Sequence, residues 1–130
     1  SQINRENLQQ NVKLYGYKPM ASNYIKDFDL FVLPSTSEGF GLTIVEAFKE
    51  KTPVIASDIK VFKELITDGQ EGFLFKNNSL DSLMDVIKKV LSLPQREIEE
   101  VTKNGYMRYK KDFALDKMIE KYKELYALII

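Results

Sequence analysis

The chain has 130 residues and no cysteine or histidine, so a disulfide framework is excluded and a zinc site would have to be built from carboxylates alone. Nineteen Lys and Arg balance nineteen Asp and Glu, which removes the whole-molecule field that draws a protein to nucleic acid, so no nucleic-acid partner is expected. No apolar run approaches the roughly 18 residues of a membrane span, and Ser1-Gln2-Ile3-Asn4-Arg5 has no signal-peptide character, so the expected setting is cytoplasmic.

In chain order, short β-rich runs near residues 12–16, 30–34, 53–57 and 72–75 alternate with helical stretches, the pattern of parallel βαβ units. The fold class is therefore α/β: a Rossmann-like parallel sheet of about four strands flanked by helices, in a single domain over 1–130 whose C-terminal helices fill about 95–130. Helices are predicted over about Pro19 to Lys26, Leu42 to Lys51, Val61 to Thr67, Leu80 to Leu91, Gln95 to Lys110 and Leu115 to Leu128. Ser79 stands where an N-cap opens the fourth, Pro94 at the threshold of the fifth and Gly69 just past the third. The last helix carries Leu115, Met118, Ile119, Tyr122, Leu125, Tyr126 and Ile129 at spacings of three and four, an apolar face for core or interdomain packing. If part of it is uncovered, self-association follows.

The stretch from Leu33 to Ala47, Leu-Pro-Ser-Thr-Ser-Glu-Gly-Phe-Gly-Leu-Thr-Ile-Val-Glu-Ala, carries the most chemistry. Phe31-Val32-Leu33 reads as a strand buried on both faces, and Leu42 begins a helix. Gly39 and Gly41 in the turn between them admit backbone angles closed to other residues and leave main-chain N–H groups open to phosphate or hydroxyl oxygens. The helix start adds roughly half a positive charge. Glu38 lies before the glycines and Glu46 about one turn into the helix. A carboxylate accepts from both hydroxyls of a vicinal diol, so Glu46 suits a ribose and Glu38 a hexose ring. Ser35 and Thr36 offer hydroxyls near the same strand end, although Ser and Thr also follow strands for turn reasons. Asp58 after Ala56-Ser57 reads as a turn or capping acid.

Glu38 and Glu46 around Gly-Phe-Gly-Leu-Thr, after Leu-Pro-Ser, closely resemble the E-x7-E signature of retaining glycosyltransferases of GT-B architecture, glycosyltransferase group 1. Val12 to Tyr17, Tyr24 to Ser35, Pro53 to Asp58, Glu64 to Phe75 and the tail from Tyr109 to Tyr126 are similar to the family's donor-binding C-terminal domain, so the resemblance covers essentially the whole chain. It implies transfer of a hexose from a nucleotide diphosphate sugar, UDP- or GDP-linked, to an acceptor hydroxyl with retention of configuration. It further implies that Glu38 and Glu46 are the catalytic pair, orienting hexose and ribose. Gly39, Phe40, Gly41, Leu42, Thr43 and Thr36 would line the donor sugar and diphosphate, and Gly16 and Tyr17 would lie near the base. Neither metal nor cofactor enters that scheme. The family's basic pair, on a glycine turn after its first strand, has no match here, nor do its first two strands or its N-terminal acceptor domain. The isolated chain is therefore expected to be inactive, its partner being that missing domain or a separate chain, with the whole enzyme cytoplasmic or peripheral at the inner face of the membrane. The sheet is expected to adjust by moving residues 12–16 beside strand 30–34, or by a second chain filling the gap. The alternatives are a non-catalytic subunit of a split glycosyltransferase, or another nucleotide-binding GT-B-like domain such as a sugar-nucleotide epimerase. No G-x-G-x-x-G follows any strand, which disfavours a dehydrogenase.

Overall fold

The computed structural model describes residues 2–19 and 21–129. Its elements run α1 (Gln2–Arg5), a 3-10 helix (Ala21–Asp27), β1 (Phe31–Leu33), α2 (Leu42–Lys49), β2 (Val54–Ser57), α3 (Lys60–Leu65), β3 (Phe73–Phe75), α4 (Leu80–Leu91), α5 (Gln95–Asp112) and α6 (Leu115–Ile129). The three strands form one parallel sheet in the order β1-β2-β3, with Leu33 opposite Ala56 and Ser57 opposite Phe75.

Alternation along the strands sorts the core into two layers. Phe31, Leu33, Val54, Ala56 and Leu74 face one side, where Ile44, Ala47 and Phe48 of α2 and Phe62 and Leu65 of α3 cover them. Val32, Ile55, Phe73 and Phe75 face the other, under Val90 of α4 and Val101 of α5. All four residues of β2 are buried, which explains its unbroken apolar run. Helix α5 serves both layers: Ile98 and Val101 pack on the second, whereas Tyr109 joins the first. It crosses α2 at Gly105, where a β-carbon would stand 2.8 Å from Phe48 Cδ1, so the close approach requires glycine.

The α/β class is as the sequence implies, and α4 begins where predicted: Ser79 Oγ accepts from the Ser82 N–H at 3.1 Å. The run at 12–16 is the exception. It forms no strand among the described residues, and its predicted pairing with β1 is not made. Local turn chemistry takes the segment instead: Asn11 and Val12 both donate to the Leu8 carbonyl at 2.9 Å, and Gly16 is left-handed at φ 63°. Leu14, 78% exposed, has no layer to enter. The helix predicted from Pro19 is a 3-10 turn held by Thr52 Oγ1 donating to the Ile25 carbonyl at 2.8 Å; Met20 lies outside the described residues. Helix α3 stops at Leu65 because Ile66 turns extended and is buried, leaving Gly69 to a tight turn in which its N–H donates to Gly72 at 2.8 Å. On α6, Leu115, Ile119 and Leu125 are exposed; the side chains of Met118, Tyr122, Tyr126 and Ile129 lie outside the description.

Candidate functional site

The carboxyl ends of parallel strands are where open α/β sheets bind ligands, and the 38–46 turn stands at that end of β1. The ladder between β1 and β2 stops at Leu33 and Ala56. One residue further along β2, the fully buried Ser57 donates its hydroxyl to the Ser35 carbonyl. The Ser35 hydroxyl donates in turn to Glu38 Oε1 at 3.3 Å. A chain of side-chain bonds therefore runs from the sheet interior to the exposed first carboxylate.

The turn closes at Gly41, left-handed at φ 69° and ψ 33°, which is the N-cap of α2. Its carbonyl accepts from Ile44 at 3.0 Å and Val45 at 3.4 Å. No side chain caps the helix, so no hydroxyl or carboxylate covers the Leu42 and Thr43 amides at its start. Gly41 is buried, and a β-carbon there would come within 2.7 Å of Leu65 Cδ1 and 3.4 Å of Val61 Cγ1. Gly39 behaves differently: its φ is not positive, and a β-carbon there would meet nothing within 4 Å. Of the two glycines, Gly41 alone meets a stereochemical demand.

Helix α2 buries Ile44, Ala47 and Phe48, which turns Leu42 and Thr43 to the exposed side and leaves Glu46 half-buried on the flank. Among the described residues no ion pair or hydrogen bond engages the Glu46 carboxylate. Phe40, 82% exposed, projects from the turn, and Thr36 is exposed beside it. The structure thus brings Thr36, Glu38, Gly39, Phe40, Gly41, Leu42, Thr43 and Glu46 into one segment at the sheet's carboxyl end. It does not bring Gly16 and Tyr17 there. Gly16 lines a separate pocket of about 290 Å³ with Tyr15, Lys18, Tyr24 and Phe28, Phe28 stacking on Phe31 where β1 begins, and Tyr17 is 90% exposed. A larger recess of about 510 Å³, bordered by Lys51, Pro53, Val90 and Ile98, opens beside the residues that precede β1 and β2, at the opposite end from the turn. Its size gives it no chemistry. Asp58 is a tie, as its sequence context implies: its carboxylate accepts from the Asn77 N–H at 2.8 Å.

Sequence reasoning passed over Ser57 and Leu65, which shape this site from 22 and 24 residues away from Ser35 and Gly41. A small polar residue ending the apolar run Val54-Ile55-Ala56 is a visible signal for the first; packing of Leu65 on Gly41 has none.

The model of the family described as "Glycosyl transferases group 1" matches residues 1–108. The chain belongs to this family. It is 36% identical over 97 residues, 74% of its length, to the poly(ribitol-phosphate) alpha-N-acetylglucosaminyltransferase of Staphylococcus aureus, and spans 19% of that protein. To the UDP-Gal:alpha-D-GlcNAc-diphosphoundecaprenol alpha-1,3-galactosyltransferase of Escherichia coli it is 32% identical over 92% of its length, spanning 30% of the relative. The crystal structure of Anabaena HepE in complex with UDP and glucose superposes with a TM-score of 0.88 at 25% identity, covering 97% of this chain and 34% of HepE. The sheet and its flanking helices are thus those of a GT-B glycosyltransferase, and the chain spans between about a fifth and about a third of these proteins. No helix among the described residues is long and apolar enough to cross a membrane.

Proposed function

We propose that the chain holds the nucleotide diphosphate sugar of a retaining hexosyltransferase, as the donor-binding C-terminal half of that enzyme. The observation that carries this is the uncapped, glycine-started α2 at the carboxyl end of the sheet, flanked by an exposed Glu38 and by a Glu46 with no partner among the described residues. The amides of Gly41, Leu42 and Thr43 and the helix dipole meet the diphosphate. Glu46 accepts from the ribose hydroxyls and Glu38 from the hexose, each charge-assisted bond being worth about 1.5 to 3 kcal/mol. Gly39, Phe40 and Thr36 complete the sugar and phosphate lining, while Gly16 would reach the base only by leaving its present pocket and Tyr17 only by leaving its exposed position.

In the reaction, the bond from the anomeric carbon to the diphosphate oxygen breaks. The acceptor oxygen bonds to the same face and passes its proton to the departing diphosphate oxygen, and the nucleoside diphosphate leaves with its remaining charge met by the α2 start. Acceptor groups, and basic groups against the diphosphate, come from outside these 130 residues, so the chain alone transfers nothing. The UDP named in the HepE complex and the UDP-Gal named for the Escherichia coli relative support a uridine donor. A cytoplasmic setting, at the inner membrane face for the whole enzyme, accords with an activated nucleotide substrate.

NMR titration with UDP, GDP, ADP and their hexose conjugates tests this at amides 38–46. Saturable shifts with one nucleotide are expected, weakened at least about tenfold by Glu46→Ala, the equivalent of about 1.4 kcal/mol or more. A folded chain showing no shifts there with any nucleotide refutes the reading.

A further inference from the structure

We infer that Ser57 and Ser35 are positioning residues that aim the Glu38 carboxylate. This rests on the reading of Glu38 as the group that meets the donor hexose. Among the described residues Ser57 is one of two buried polar side chains, and it is fully shielded from solvent. A buried hydroxyl carries a desolvation cost unless it is bonded, and its bond here goes to the Ser35 carbonyl, across the point where β1 and β2 have ceased to pair. The side chain replaces the ladder bond that the backbone no longer makes. It thereby fixes Ser35 two residues beyond the end of β1, in the segment that departs toward the turn.

From that fixed backbone the Ser35 hydroxyl donates to Glu38 Oε1 at 3.3 Å. Glu38 is otherwise exposed, and among the described residues this is the one hydrogen bond or ion pair its carboxylate makes. A free glutamate at a loop samples several rotamers, and holding it in one before the ligand arrives removes that ordering cost from binding. Ser35 occupies one of the carboxylate oxygens and leaves the other for a hydroxyl of the sugar. Neither serine needs to touch the donor.

The test uses Ser35→Ala, Ser57→Ala and Ser35→Thr, with two readouts. The first, independent of any ligand, is the carboxyl-carbon shift and side-chain couplings of Glu38 in protein labelled with carboxyl-13C glutamate. Both alanine variants are expected to move these toward rotamer-averaged values, and Ser35→Thr, which keeps the hydroxyl, to restore them. The second is calorimetric affinity for UDP-glucose and for UDP. Ser35→Ala is expected to weaken UDP-glucose by about fivefold, within the worth of one hydrogen bond to a charged group, and to leave UDP unchanged. Ser57→Ala follows the same pattern, because a merely destabilised turn would weaken both ligands together.

Glu38 signals identical to the parent in both alanine variants overturn the relay, whatever the affinities. Equal weakening of UDP and UDP-glucose also overturns it. Moved Glu38 signals, together with a Glu38→Ala variant that binds UDP-glucose as the parent does, uphold the relay and refute instead the assignment of Glu38 to the hexose.

Discussion

Replacing Gly41 by alanine is the sharpest probe of how the turn is built. The residue sits at φ 69° and ψ 33°, and a left-handed conformation costs an ordinary L-residue about 1 to 2 kcal/mol. The new methyl would also meet Leu65 Cδ1 at 2.7 Å, Val61 Cγ1 at 3.4 Å and Phe62 Cδ1 at 3.6 Å. Leu65 is 6% exposed and has little room to swing, so the overlap adds about 1 to 2 kcal/mol of overpacking. The expected loss is about 2 to 4 kcal/mol, read by urea denaturation as a lower midpoint at constant slope. Gly39→Ala is the control. With open space around it and no positive φ, it should change stability by less than about 0.5 kcal/mol. The double substitution Gly41→Ala with Leu65→Ala separates the two contributions: relief of the overlap should make the pair cost at least about 1 kcal/mol less than the sum of its parts. Equal effects of Gly39→Ala and Gly41→Ala, or additivity in the cycle, would refute this account of the turn.

Two further substitutions address how the surroundings of the turn are fixed. Gly105→Ala gains about 1 kcal/mol of helix propensity. It also drives a methyl to 2.8 Å from Phe48 Cδ1 and 3.3 Å from the Glu71 carbonyl, so a net loss of about 1 to 2 kcal/mol is expected by denaturation; a stabilised variant would show that α5 does not cross α2 this closely. Arg108 donates to the carbonyls of Glu64 at 3.3 Å and Leu65 at 3.4 Å at the end of α3, and pairs with Asp112 on its own helix. Arg108→Ala should cost about 1 to 2 kcal/mol, discounted for partial exposure, and Arg108→Lys should recover less than half, because an ammonium cannot span two carbonyls and a carboxylate at once.

What the sequence disclosed, and what it hid, follows from the range of the interactions responsible. Helix α4 was legible to the residue because its signals are local, Ser79 capping Ser82 three positions on. The strands β1, β2 and β3 were legible as short apolar runs between turn residues. The same signal failed at 12–16 because an apolar run becomes a parallel strand only if a neighbouring strand accepts it, and the segment is instead closed by bonds back to Leu8 and by the left-handed Gly16. At the site, the order Glu38, Gly41, Glu46 placed the turn correctly. It did not distinguish the two glycines, since the difference lies in Leu65, which the chain supplies from the next βα unit. Ser57 was hidden for the same reason: its partner is 22 residues away.

The turn is therefore a product of the units that follow it. Its backbone direction comes from β2 through Ser57, its floor from α3 through Leu65 and Val61, and the tilt of its helix from α5, where Gly105 lets Phe48 sink between the two helices. Arg108 holds the end of α3 to α5, so the floor and the tilt share one support. The loop contributes little burial of its own, Phe40, Leu42 and Thr43 all being exposed. Such a loop keeps a single shape only if the packed elements beneath it impose one. That accounts for why the parts of the turn proposed to touch a ligand lie together in sequence between residues 36 and 46, whereas the parts that fix its geometry are scattered from Ser57 to Arg108.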